Sequence, residues 1–480
     1  MSFSRTYSAD LISRMTRIAT GKEMGRGLKV ELIGRKYPGT KTKPFTTFGV
    51  TAAIKGGGQI HVGTGVAPVA TSGGVREPEA VSNDKLAKKH LRILEQYLNS
   101  GEVNLLDPIA VDNAVLEIDQ ALAKERGLKK ARPTSGIGSE VAISATVALL
   151  DAQAAYFQLP TVLAMRAILL QIQGKEQNAD GLRTPLPKFN ILNFGGHSAT
   201  KRKDGFPYVQ IQETKVATIG AADFEEAEFM GIATLDQIIK LAGVDNIGFE
   251  AGISPALTEP EQIYQMAAES IALANLTGKM VIAADAAASE FSKPKSEDSD
   301  IFLYNLFPGR PPVDQEGMVR FWVEMVNKYP IVSIEDGMNS EDPIGWKMLM
   351  SELGNRIEIQ GDDLFVTDAE ELDRLHECAN SVLVKPNQAG TIVRTLRLIA
   401  KARQYGYTIS PSHRSGKVPG GYGMIPELAL ATQAEWIKPG APRRERQGFT
   451  NNVMTFADEL ALLGINVGYA GPVVAKRFSI

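Results

Sequence analysis

A single cysteine, Cys378, occurs in 480 residues. That excludes an intrachain disulfide framework and any cysteine-rich zinc site, and it points to a reducing compartment. Long apolar runs are equally scarce. The most apolar stretch, Val141–Leu150, ends at Asp151 after ten residues, about half of the ~20 that a membrane-spanning helix needs. No membrane partner is expected. Excess charge of either sign is also missing, because 52 basic side chains face 55 acidic ones and leave a net charge of −3. Such a balance does not suit a protein built around a nucleic-acid backbone. The N-terminal stretch carries Arg5, Arg14 and Arg17 but no apolar signal core, and Asp10 argues against a transit peptide. A cytoplasmic protein is predicted.

What remains is 44% apolar residues, enough for a large buried core. The first 185 or so residues read as mixed α+β. Leu28–Ile33 and Phe45–Ile54 look like strands, and a glycine-rich piece, Gly56–Gly74, follows them. Leu86, Leu91, Leu94 and Leu98 recur at helical steps within Asp84–Leu98, and two apolar helices are predicted between Gly138 and Ile172. The polar stretch Gly174–Pro185 reads as a linker or long loop.

Beyond it, short apolar runs end in charged residues and alternate with helical patterns. The runs are Met280–Asp285, Ile331–Glu335, Ile357–Asp362, Ser381–Lys385 and Tyr407–His413. Their charged ends lie 50, 27, 23 and 28 residues apart. The last three gaps each fit one βα unit, and the first has room for an insertion at Ser292–Pro312. Serial βα units predict a (β/α)8 barrel or an open doubly wound sheet. In a barrel, the C-terminal ends of the strands carry the active site.

Asp285, Glu335 and Asp362 on neighbouring strands would each give one oxygen to an octahedral Mg²⁺. Lys385, on the next strand, would face the same centre as a base for an α-proton. The segments SIEDGM (333–338), GDDLFVT (361–367), VKPNQAGT (384–391) and SHRSG (412–416) resemble the signature stretches of the enolase family. AADAAASEF (283–291) and IKPGAP (437–442) resemble two more, in the same order. Weaker similarity runs back through PKFNILNFGG (187–196) and AVDNAVLEID (110–119) to a loop at Thr71–Glu77.

The resemblance implies an α/β fold: an enolase-type (β/α)8 barrel over residues 186–480, with a partly antiparallel start, behind an N-terminal α+β capping domain over 1–185. It implies a hydro-lyase that interconverts 2-phosphoglycerate and phosphoenolpyruvate. Two Mg²⁺ sites are implied, one of them completed when the substrate-bound site closes. Asp285, Glu335 and Asp362 match the family's ligands of the first ion, and Ser72 matches a mobile-loop ligand of the second. Lys385 matches the base, Lys438 the lysine that binds the substrate carboxylate, and His413, Arg414 and Ser415 the cluster around the phosphate. Glu250, in FEAGISP, matches the general acid, and Glu213, in IQETKVA, matches the glutamate of the family's QEFM stretch, which assists that acid.

Departures from the family pattern are also present. FGGHSA (194–199) places His197 one position early for a substrate-binding histidine. Phe249 stands where an acidic residue precedes the general acid, which predicts a raised pKa for Glu250. SHRSG runs on into KVPGGYG (417–423) where the family has ETED. That change leaves open an enolase-like dehydratase acting on a phosphonate analogue, of the carboxyphosphonoenolpyruvate synthase type. A non-catalytic enolase-fold binding protein is the remaining alternative. The implied partners are a small phosphorylated or phosphonate hydroxy acid and further copies of the chain, as a dimer or octamer.

Overall fold

The structure is a computed structural model that describes residues 7–23, 25, 27–37, 47–69, 78–81, 83–128, 132–198, 209–248, 250–307, 309–413, 424–443 and 446–478. An N-terminal antiparallel sheet comprises β1 (Lys29–Tyr37), β2 (Thr47–Gly56) and β3 (Gln59–Pro68). The N-terminal helix α1 (Ala9–Thr20) packs on the later helix Thr161–Ile172, while three helices pack with the sheet: α2 (Asp84–Leu98), α3 (Pro108–Glu125) and α4 (Ser139–Tyr156). Each of the first three starts on a side-chain cap, from Ser8, Asn83 and Asp107, whose oxygens accept otherwise orphaned backbone N–H groups.

The glycine-rich piece expected after β2 is largely strand. Its glycines allow α4 to lie directly on β3: a Cβ at Gly65 would sit 2.1 Å from the Ser144 carbonyl oxygen, and one at Gly63 would sit 2.2 Å from that of Ala148. The Asp151 carboxylate accepts the Thr64 N–H at 2.9 Å and pins the far end of the contact. α4 and α5 (Thr161–Ile172) meet at a 102° bend and are almost wholly buried. No single helix among the described residues is long and apolar enough to cross a membrane.

The second part is a barrel of eight strands: β4 (Leu186–Asn193), β5 (Glu213–Ala217), β6 (Val281–Asp285), β7 (Ile331–Glu335), β8 (Glu358–Gly361), β9 (Ser381–Val384), β10 (Thr408–Pro411) and β11 (Trp436–Gly440). Neighbours follow chain order around the ring, and β11 pairs with β4. An isolated bridge, Ser412 to Lys438, links β10 to β11. The ring is nearly closed. β5 runs antiparallel to both neighbours, as the family resemblance implies, and the other pairs are parallel. All eight strands are buried along their whole length, which explains why five of them read as short apolar runs. The expected insertion is a small hairpin, Ser292–Pro294 against Phe302–Tyr304.

The N-terminal region also touches the turn after β9. Gly390 has φ +84°, and a Cβ there would lie 2.1 Å from Thr134 Oγ1. Two residues on, the Ile392 N–H donates to Thr146 Oγ1 at 3.4 Å. α4 therefore bonds to the segment that follows Lys385.

Candidate active site

Strand register builds the centre of the site. Glu335 of β7 lies opposite Asp285 of β6, Asp285 opposite Glu213 of β5, and Glu213 opposite Asn193 of β4. Because β5 is antiparallel, its first residue reaches the rim where its neighbours end. A search for charges at strand C-termini therefore passes over Glu213, and only the family resemblance marked it.

Lys438, two residues into β11, reaches across this row. Its Nζ lies 2.7 Å from Asp285 Oδ2, 2.9 Å from Glu335 Oε1 and 3.1 Å from Glu213 Oε2. Burial disfavours its charge, but the three carboxylates outweigh that and hold its pKa well above the ordinary lysine value. Lys215 approaches from beneath, with Nζ 2.5 Å from Glu335 Oε2 and 3.5 Å from Asp285 Oδ2. Sequence reasoning missed Lys215, since a lysine inside a five-residue strand gives no periodic sign of pointing inward. One layer lower, Lys188 pairs with Glu358 at 2.7 Å, and the Trp436 indole N–H donates to the same carboxylate at 2.6 Å.

Asp362 belongs to an adjoining set. Lys385 Nζ donates to its Oδ2, and Gln388 Nε2 donates to Oδ1 at 3.2 Å. The Lys385 backbone N–H donates to Thr367 Oγ1 at 2.9 Å, and that hydroxyl donates to Gln388 Oε1 at 2.6 Å. Asp336 shapes the turn from below, with φ +44°. Its carboxylate accepts the backbone N–H groups of Asp362 and Asp363, both at 2.9 Å. Burial, then the Asp363 and Asp362 charges, push its pKa well above the usual carboxylate range. Asp336, Thr367 and Gln388 lie within matched motifs but drew no role from the sequence.

The third set is Glu250 with two histidines. His413 Nε2 meets Glu250 Oε2 in a close contact, and His413 Nδ1 donates to the Lys438 carbonyl oxygen at 2.7 Å. Since Nδ1 must carry a proton to face a carbonyl, the Nε2–Oε2 contact holds a second one. Burial opposes charge on both partners and lowers the histidine. His413, with Arg446 and His197, nevertheless outweighs burial at Glu250 and holds its pKa well below the ordinary glutamate value. The raised Glu250 pKa predicted from Phe249 is therefore corrected. Phe249 lies outside the described residues, and facing cations set the direction. Arg446, buried with a guanidinium nitrogen 4.0 Å from Glu250, had no sequence signal.

His197 Nδ1 bonds Glu213 Oε1 at 2.8 Å, so the displaced histidine still enters the cluster. Burial works against its charge, yet Glu213 raises its pKa. Burial would also raise Glu213, but Lys438 and His197 bring it down to about 2. Arg414, Ser415 and Ser72 lie outside the described residues, as does the KVPGGYG segment.

These residues fit a hard divalent cation. The donors are carboxylate oxygens, and the Lys438 ammonium already lies among three of them, as a cation would. The nearest ligand atoms of His197, Glu213 and Glu250 fall within 4.8 Å of one another, and those of Asp336, Asp362 and Asp363 do likewise.

An eight-stranded barrel with an antiparallel second strand and a rim of carboxylates and lysines defines an enolase-type TIM barrel, a class of lyase-type enzymes with acidic groups suited to a metal. Residues 182–477 match the family described as enolase, C-terminal TIM barrel domain. The match takes in well over half of the chain, which therefore belongs to the enolase family.

Proposed function

We propose that the protein is a Mg²⁺-dependent hydro-lyase that removes water from 2-phosphoglycerate to give phosphoenolpyruvate, reversibly. The observation that carries this reading is the Lys438–Asp285–Glu335–Glu213 cluster, with the Lys385–Asp362 pair just past the ends of β9 and β8. In this reading Asp285, Glu335 and Asp362 hold Mg²⁺, with Ser72 completing a second site. The cation supplies positive charge where the substrate carboxylate becomes a dianion. Lys385, having left Asp362 and given one proton to solvent, takes the α-proton as a neutral amine. Lys438 binds the substrate carboxylate. The proton held between Glu250 and His413 goes to the departing hydroxyl, while Glu213 and His197 orient that pair. Arg414 and Ser415 take the phosphate, where a planar guanidinium suits paired oxygens.

The same reading places the protein in glycolysis in the cytoplasm, as a dimer or octamer, with no nucleic-acid or membrane partner. A second reading keeps this chemistry and changes the substrate to a phosphonate analogue. The replacement of ETED by KVPGGYG (417–423) favours it, because acids give way to Lys417 and glycines next to the phosphate-binding motif.

The test is absorbance at 240 nm with purified protein, 2-phosphoglycerate and Mg²⁺, repeated with EDTA. A metal-dependent rise at an ordinary turnover, on the order of 1–10³ per second, is expected. A flat trace from folded, Mg²⁺-binding protein would overturn the 2-phosphoglycerate reading and favour the phosphonate one.

A further inference from the structure

Lys215 enters the barrel interior from β5 and is 1% exposed at its side chain. In the QEFM stretch that IQETKVA resembles, its position is methionine, an apolar residue. Its ammonium takes one oxygen of Glu335, Oε2, at 2.5 Å, while Lys438 takes the other, Oε1, at 2.9 Å. The two lysines are not equivalent. Lys438 lies among Asp285, Glu335 and Glu213, the first two of them carboxylates of the proposed metal pocket, so an ion bound there would displace it. Lys215 lies beneath the row, enclosed by the barrel, and withdrawing it would strand a buried charge. Its hold on Oε2 would therefore persist with an ion in the pocket.

We propose that Lys215 is a cation-specificity residue: by keeping Glu335 Oε2, it limits that carboxylate to one-point ligation and so selects Mg²⁺ over Ca²⁺. Mg²⁺ takes six oxygens in tight octahedral geometry and makes do with single-oxygen carboxylates. Ca²⁺ takes six to eight at longer distance and commonly uses both oxygens of a carboxylate. The buried ammonium also repels either ion. The oxygen it withholds matters to Ca²⁺ alone.

This inference rests on the metal pocket of the proposed function, and calorimetric titration of MgCl₂ and CaCl₂ into substrate-free protein separates the two. The wild type is expected to bind Mg²⁺ more tightly than Ca²⁺. Lys215→Met frees Oε2 and removes the charge, so both ions should bind more tightly, Ca²⁺ by at least tenfold more than Mg²⁺. Lys215→Gln keeps a donor towards Oε2 without the charge, and its Ca²⁺-to-Mg²⁺ affinity ratio should stay within threefold of wild type. A ratio unchanged in Lys215→Met, an equal shift in both variants, or a wild type preferring Ca²⁺ would overturn the inference. If the methionine variant does not fold, the glutamine variant decides, and an affinity ratio moved more than threefold from wild type overturns the inference. Wild-type protein that binds neither ion would overturn the pocket itself.

Discussion

At the scale of single residues, the site is a set of interlocked proton and charge positions. Lys385 has a carboxylate partner and a backbone N–H held by Thr367, so in the proposed reading removing its side chain deletes the base and leaves the carboxylates that would hold the metal. Lys385→Ala should lose more than nine-tenths of turnover while Mg²⁺ and substrate binding stay measurable by calorimetry. A variant keeping over a tenth of the rate would show that another group takes the proton. Glu250→Gln should lower turnover by roughly 10²–10⁴-fold, the usual scale of a lost proton donor, and should lower the melting temperature as well, because buried Arg446 loses the charge it faces. The residues that carry this chemistry differ in how they can be read. Asp285, Glu335 and Lys385 close or follow apolar runs, where period and composition expose them. Glu213 opens an antiparallel strand, and Lys215 and Arg446 are buried cations whose partners come from distant segments. Only the assembled barrel reveals those contacts.

At the scale of elements, the most informative discrepancy is β3. Its glycines read only as a glycine-rich piece, because glycine is a poor strand former, whereas here they provide the space in which α4 packs backbone to backbone. Gly65→Ala should therefore cost about 2 kcal/mol through overpacking, seen as a fall in denaturant midpoint with an unchanged slope. An unaltered midpoint would mean that α4 can shift away cheaply. Glu140, in the first turn of α4, gives a pH signature. Its oxygens accept the Val81 N–H at 2.9 and 3.1 Å, and burial pushes its pKa from 4.5 up to about 7. A carboxyl raised on folding contributes stability that is full below its unfolded value and is lost as pH rises through its folded value. The gap between 4.5 and about 7 corresponds to roughly 3 kcal/mol. Glu140→Gln should gain on wild type in thermal melts at pH 8.5 relative to pH 4.5. An equal difference at both pH values would contradict the assigned ionisation.

At the scale of the whole molecule, the barrel was legible because βα spacing survives even where single strands are misjudged by a residue or two. β8, for example, ends at Gly361 and leaves Asp362 in the turn that Asp336 caps. The hairpin inside Ser292–Pro312 could not be foreseen, since its strands of three residues each are too short to show a period. A cation bound only by the folded carboxylate row should stabilise the entire chain. A free Mg²⁺ concentration a hundred times its dissociation constant corresponds to about 2.7 kcal/mol. Millimolar MgCl₂ should thus raise the melting midpoint by several degrees, and EDTA should reverse it. A midpoint indifferent to both would argue against the carboxylate row as a metal pocket.

The close approach of Thr134 to Gly390 has a consequence for ancestry. The turn behind Lys385 has been cut to the shape of a side chain some 250 residues earlier in the chain, so neither half is free to drift alone. Any side chain at position 390 would collide with Thr134, so the glycine can be replaced only if position 134 gives way. A fusion that brought a bulkier side chain to position 134 would therefore have to move the turn just behind the lysine.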